Sequence, residues 1–119
     1  MRLALVLSGL LIILGAQAEE VDHAAALASL QRADSLLIDV RSAEEFSAGA
    51  LPGAIRIGHD EIAAQIASIA ANKDQPLVLY CRSGRRSGLA KQNLEELGYR
   101  QVINAGAYDD LRPLLEADN

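Results

Sequence analysis

Residues 77–87 read Leu77-Val78-Leu79-Tyr80-Cys81-Arg82-Ser83-Gly84-Arg85-Arg86-Ser87, and this stretch decides how the rest of the chain is read. Leu77 to Tyr80 is a short continuous apolar run. That is the pattern of a strand buried on both faces, and such strands belong to parallel sheets covered by helices. From Arg86 to Leu97 the period becomes helical, with Ala90, Leu94 and Leu97 on one face and Gly98 as the stop. Cys81 therefore sits where a buried strand passes into a loop and then a helix. In α/β sheets, ligands bind outside the carboxyl ends of the strands, so this is where such a fold carries its chemistry.

Outward from this stretch the same alternation recurs, without internal repeats or low-complexity runs. Asp22 can cap a helix to about Arg32, with Leu27 and Leu30 on an alanine-rich face. Leu36 to Val40 reads as a buried strand, and Ala43 to Ala48 as a short polar helix ending at Gly49. Pro52-Gly53 marks a turn before a second strand at Ala54 to Ile57. Asp60 is the expected cap of a helix to Ala71, with Ile62, Ile66 and Ile69 on one face, and Asn72 to Pro76 breaks it. Gln101 to Asn104 reads as a last strand and Tyr108 to Ala117 as a last helix interrupted by Pro113. The expected fold is α/β: one domain with a central parallel sheet and helices on both faces.

Composition narrows the function. A length of 119 residues supports one ordinary domain. With 50% hydrophobic and 23% charged residues, the chain is not disordered, and one cysteine cannot staple a small domain by disulfides. A formal net charge of −5 argues against nucleic acid or anionic membrane as a partner. Residues 1–18, MRLALVLSGLLIILGAQA, have a basic start, an apolar stretch and a small-x-small site at Ala16-Gln17-Ala18, the three parts of a secretory signal peptide. Its apolar stretch is shorter than the about 20 residues a membrane span needs. The domain is then 19–119, exported, in a bacterium to the periplasm, without stable membrane insertion after cleavage. Residues 1–18 hold one basic and no acidic residue, so the mature domain has 10 basic and 16 acidic residues, a net charge of −6, and is expected to be a monomer.

Against that acidic background Arg82, Arg85 and Arg86 fall within five positions, which suggests an anion site. Gly84 lets the loop curl so that successive backbone amides point inward. The helix behind adds partial positive charge. Helix N-termini and nearby cations lower a cysteine pKa to about 3.5–7.5, which favours the nucleophilic thiolate. The competing reading is that Cys81 is only a small buried hydrophobe and the arginines a solvated face. Cations at a helix start oppose the helix dipole, however, and an anion would give that placement a reason.

The chain resembles the single-domain rhodanese-like sulfurtransferases, and is most similar to their small exported phage-shock-protein-E type. The resemblance rests on Leu37-Ile38-Asp39-Val40-Arg41 followed by Glu44-Glu45-Phe46, on Gly49-Ala50-Leu51-Pro52-Gly53-Ala54, and on Tyr80 to Ser87. Gly98-Tyr99 and Asn104-Ala105-Gly106 complete it. Two positions depart from the family pattern: Ala50 stands where the family has His, and Ala107 where it has the second of two glycines. Both are expected to alter local loop structure more than chemistry.

The resemblance implies that Cys81 attacks the outer sulfur of thiosulfate, releases sulfite and hands the resulting persulfide sulfur to cyanide or a small thiol. The residues assigned to substrate binding are Arg82, Ser83, Gly84, Arg85 and Arg86, with Arg86 first and Arg82 second as direct contacts. Asp39 and Arg41 read as a structural ion pair or cap near the site, Glu45 likewise, and Ser87 as a hydroxyl donor or helix cap. Tyr80 and Tyr108 read as core or rim packing. No cofactor is expected. No metal is expected either, since His23 and His59 are isolated and share no ligand spacing with Cys81.

Three rivals use the same thiol. One is a persulfide carrier that serves a protein sulfur acceptor without turnover of its own. The second is a redox thiol. The third is a cysteine phosphatase, in which Cys and Arg are separated by five residues. Here Arg86 is separated from Cys81 by four, and Ser87 stands at the phosphatase arginine position.

Overall fold

All five residues from Leu77 to Cys81 are buried, and they form β3 (Leu77–Cys81), an inner strand of a four-stranded parallel sheet. The computed structural model describes residues 20–117. The leader expected at 1–18 lies outside them. Before β3 come α1 (His23–Leu30), β1 (Leu36–Asp39), α2 (Ala43–Ala48), β2 (Ile55–Arg56), α3 (Ile62–Gln65) and a 3-10 turn at Ile66–Ser68. After it come α4 (Arg85–Glu96), β4 (Val102–Ala107) and α5 (Tyr108–Ala117). The sheet order is β2-β1-β3-β4. β1 leads outward to β2, and the chain then crosses back to β3. The connections after β1 and β3 thus run in opposite directions, which opens a crevice at their carboxyl ends.

The two faces of β3 feed two cores. Leu77, Leu79 and Cys81 pack with Ile38, Val40, Ile62, Ile66, Ala90 and Leu94, the side of α3 and α4. Val78 and Tyr80 pack with Ala26, Leu37, Leu51, Ala105 and Leu111, the side of α1 and α5. Alternation along a pleated strand places Cys81 beneath α4 and Tyr80 on the opposite face. Helices therefore cover both faces, as expected.

Three elements differ from their sequence reading. The helix expected from Asp60 to Ala71 is only the four residues of α3 and the 3-10 turn, and Glu61 at its start makes no side-chain cap. β-branched isoleucines add little intrinsic helicity. The segment is held by burial of Ile62, Ile66 and Ala70 and by the Tyr99 hydroxyl, which donates to the Ala70 carbonyl at 2.6 Å, while Ile69 is 43% exposed. α5 runs through Pro113 without interruption. Proline removes one backbone bond there, and buried Leu111 and part-buried Leu115 anchor the helix on either side. β4 extends three residues beyond Asn104 through a bulge: Leu79 pairs with Asn104, Tyr80 with Gly106, and Ala105 has no partner in β3.

Ile66→Ala is expected to lower unfolding stability by about 2–5 kcal/mol, as a buried large-to-small change. Ile69→Ala should cost less than about 0.5 kcal/mol, as a surface change. Urea denaturation of both variants checks this, and comparable losses would contradict the burial described here.

Candidate active site

A sulfur at the end of a buried strand needs hydrogen-bond donors if it is to carry charge. Cys81 is fully buried, and the Gly84 amide donates to its Sγ at 2.9 Å. The amides of Ser83 and Ser87 also face the sulfur, and the Ser87 hydroxyl lies 3.3 Å from it. Burial alone pushes the Cys81 thiol up. The Ser87 hydroxyl and the amides of Ser87, Ser83 and Gly84 outweigh that and hold it below its ordinary value.

This curl of the loop depends on Gly84, whose φ of +95° lies in the left-handed region. A Cβ there would also meet Val21 Cγ2 at 3.2 Å and Gly106 Cα at 3.4 Å. Gly106 is itself left-handed, and a Cβ on it would come within 2.7 Å of Val21 Cγ1. Val21, just ahead of α1, the Cys81 loop and the β4 bulge are thus packed into one another. Ala107, the departure beside Gly106, has an ordinary φ and pairs in register with Cys81. Ala50 is half-buried beside Gly49.

Asn104 had no role in the sequence reading, yet it joins these parts. It is 1% exposed and lies on the adjacent strand. Its Nδ2 donates to the Gly84 carbonyl at 2.9 Å, and its Oδ1 accepts from the Gly106 amide at 3.0 Å and from the Ser87 hydroxyl at 2.7 Å. A donor on one side and acceptance from a backbone amide on the other fix the orientation of the side-chain amide. The sequence marked it only as part of the Asn104-Ala105-Gly106 motif and as a polar residue in an apolar strand, and two of its partners lie 17 and 20 residues away.

Charged side chains close the rim. Asp39, the last residue of β1, and Arg41 form a buried pair: Arg41 Nη2 meets Asp39 Oδ2 at 2.7 Å and donates to the Gly49 carbonyl at 2.6 Å. The Arg41 backbone amide donates to Asp39 Oδ1 at 2.9 Å. Tyr80 lies under this pair, with the Arg41 guanidinium 5.6 Å from its ring. Burial pushes its phenol far up, so it stays protonated. Glu45 is the N3 residue of the capping box that Ser42 forms at the start of α2. It pairs with Arg86 through two bonds of 2.7 and 2.9 Å. The Arg86 guanidinium beside it holds the Glu45 carboxyl down at about 2. The Arg86 charge also interacts favourably with that of Cys81.

The three loop arginines therefore face different surroundings. Arg86 is bound to Glu45, whereas Arg82 and Arg85 are exposed and have no ion pair among the described residues. Ser83 is exposed, and its hydroxyl accepts from the Arg85 amide at 3.4 Å. Tyr108 lines a cleft with Arg82, and Arg41 stacks 4.6 Å from its ring. Among the described residues, no group of three or more His, Cys, Asp or Glu could hold a metal.

Comparison with known proteins agrees with this geometry. The family model described as rhodanese-like domain matches residues 22–110. The thiosulfate sulfurtransferase PspE of Escherichia coli (strain K12) is 40% identical over 74 residues, covering 62% of this chain and 71% of that protein. A human thiosulfate:glutathione sulfurtransferase is 41% identical over 85 residues, covering 60% of this chain and 74% of that protein. Among solved structures, a rhodanese with anions from E. coli is similar with a TM-score of 0.62 and 39% identity, covering 64% of this chain and 89% of that one.

Two outcomes are expected from the site. Ser87→Ala removes a donor to the sulfur, so alkylation of Cys81 by iodoacetamide at pH 7 should slow about tenfold and its pH profile should move upward. An unchanged profile would show that the hydroxyl serves Asn104 alone. The Glu45 carboxyl is depressed in the fold, so its contribution to stability is present above the ordinary value of 4.5 and lost as pH falls through about 2. Glu45→Gln should therefore be less stable than wild type at pH 7, with the difference shrinking as pH falls below 4.5. Denaturation across pH measures this.

Proposed function

The chain belongs to the rhodanese-like domain family, and on that premise we propose that it is a thiosulfate sulfurtransferase working through a persulfide on Cys81. The observation that carries this reading is the 2.9 Å bond from the Gly84 amide to Cys81 Sγ, with the Ser83 and Ser87 amides facing the same atom. Such a cradle stabilises an anionic sulfur before and after the donor reacts.

The Cys81 thiolate attacks the outer sulfur of thiosulfate. A sulfur–sulfur bond forms on Cys81, the sulfur–sulfur bond of thiosulfate breaks, and its electron pair leaves on sulfite. A thiolate or cyanide then takes the outer sulfur and returns the electron pair to Cys81. Covalent catalysis divides one transfer into two easier ones. Arg86, tied to Glu45, interacts favourably with an anionic Cys81, and the exposed Arg82 and Arg85 attract the dianionic donor. The first acceptors to consider are cyanide and small thiols, the latter in line with the human relative, a thiosulfate:glutathione sulfurtransferase. The reading includes export, carried by the sequence of residues 1–18, and a monomeric mature domain. No helix among the described residues is long and apolar enough to cross a membrane.

Intact-mass measurement after thiosulfate treatment tests the reaction class. Wild type should gain one sulfur atom and Cys81→Ser none, and thiosulfate:cyanide transfer should fall to background in the variant. Aryl-phosphate hydrolysis without sulfur transfer would instead identify a phosphatase. Persulfide formation with discharge to a protein but to no small acceptor would identify a carrier.

A further inference from the structure

Beside the Cys81 loop lies a cleft of about 300 Å³. Its place follows from the sheet. Ala107 is in register with Cys81, Tyr108 is the next residue, and Arg82 directly follows Cys81. The cleft thus lies over the carboxyl ends of β3 and β4, and Arg41 and Gly49 form its far wall after β1. Arg112 stands four residues after Tyr108, on the same face of α5, with its guanidinium 5.9 Å from the Tyr108 ring.

Five charged side chains line this cleft: Arg41, Glu45, Arg82, Asp109 and Arg112. Arg41 is paired with Asp39 and Glu45 with Arg86, so both are already compensated. Of the remaining three, Arg82 and Arg112 have no ion pair among the described residues. Asp109 opposes them with one charge. Two uncompensated guanidinium groups facing one cleft, in a chain of net charge −5, describe a site for an anion. The volume is at the lower end of small-molecule sites, roughly 300–1,000 Å³, and exceeds what cyanide needs.

We infer that this cleft is the acceptor subsite and that it selects a small thiol bearing a carboxylate, held by Arg112 and Arg82 beside the Cys81 persulfide. The inference rests on the sulfurtransferase reading and names the acceptor class for the same site. Tyr108 supplies an apolar wall for the carbon chain between carboxylate and sulfur. The acceptor thiolate attacks the outer sulfur of the persulfide. A new sulfur–sulfur bond forms on the acceptor, the bond to Cys81 breaks, and its electron pair returns to the Cys81 thiolate. No oxidant or reductant enters.

The test compares discharge of persulfide-loaded wild type and Arg112→Gln by 3-mercaptopropionate, 2-mercaptoethanol and cysteamine, which are anionic, neutral and cationic at one end. Taking the variant-to-wild-type ratio for each thiol cancels its intrinsic reactivity. Arg112→Gln should lose about tenfold in second-order rate with 3-mercaptopropionate. It should stay within about twofold with 2-mercaptoethanol, and Arg112→Glu should shift the preference toward cysteamine. Equal losses with all three thiols, or none with any, would overturn the inference. Loading is read by mass beforehand, so a wild type that forms no persulfide sinks the sulfurtransferase reading itself, before any acceptor is added.

Discussion

A fully buried sulfur can hold negative charge only where fixed donors replace water, and the bond from the Gly84 amide to Cys81 Sγ is the one on which the site depends. An amide aimed back at the residue three positions earlier requires the left-handed backbone of Gly84. That backbone in turn requires space. Gly106 packs against it, and only a glycine at the β4 bulge leaves room for Val21, since a Cβ there would come within 2.7 Å of Val21 Cγ1. Asn104, one turn of the pleat away, then binds the Gly84 carbonyl, the Gly106 amide and the Ser87 hydroxyl together. Two glycines and one buried amide side chain thereby convert a strand end into an anion cradle, and the start of α1 closes it from outside.

A second layer is electrostatic and holds the rim. The Asp39–Arg41 pair is almost wholly out of water, and a buried pair of that kind is weak evidence for stability by itself. Its geometry points to orientation instead. Arg41 spans from the end of β1 to the Gly49 carbonyl after α2 and stacks between Tyr80 and Tyr108. Glu45 extends the same connection from α2 to Arg86 on α4. Elements on the two sides of the crevice are linked across it by charge, which fixes the shape of an opening that the sheet topology alone would leave loose.

The sequence was legible where physical causes are local. The strands read at Leu77 to Tyr80 and Leu36 to Val40 announced themselves by continuous apolar runs, and Asp22 lies where a short polar side chain caps a helix. Cys81 and its loop were legible because a strand end, a glycine and three arginines coincide. The segment from Asp60 to Ala71 was misread because isoleucine periodicity looks helical, although burial against the sheet and the Tyr99 hydroxyl hold that segment rather than helix propensity. The end of β4 was cut short because Ala105 and Gly106 do not look like strand, and a bulge has no local signature. Asn104 escaped for the same reason: its importance lies in contacts with residues 84 and 87, which proximity in the chain does not reveal.

The arginines show how far a compositional signal can be divided by structure. In sequence, Arg82, Arg85 and Arg86 form one basic cluster with one purpose. In space, Arg86 is held by Glu45, Arg85 is exposed, and Arg82 lines a cleft shared with Arg112, thirty residues later. A ping-pong transfer must accommodate two chemically different partners at one sulfur, and a single undivided basic patch would hold both with equal preference. Compensating Arg86 with Glu45 while Arg82 and Arg112 have no ion pair among the described residues makes the cleft electrostatically unlike the neighbourhood of Arg86. That asymmetry is built from the capping residue of α2 and a side chain on α5.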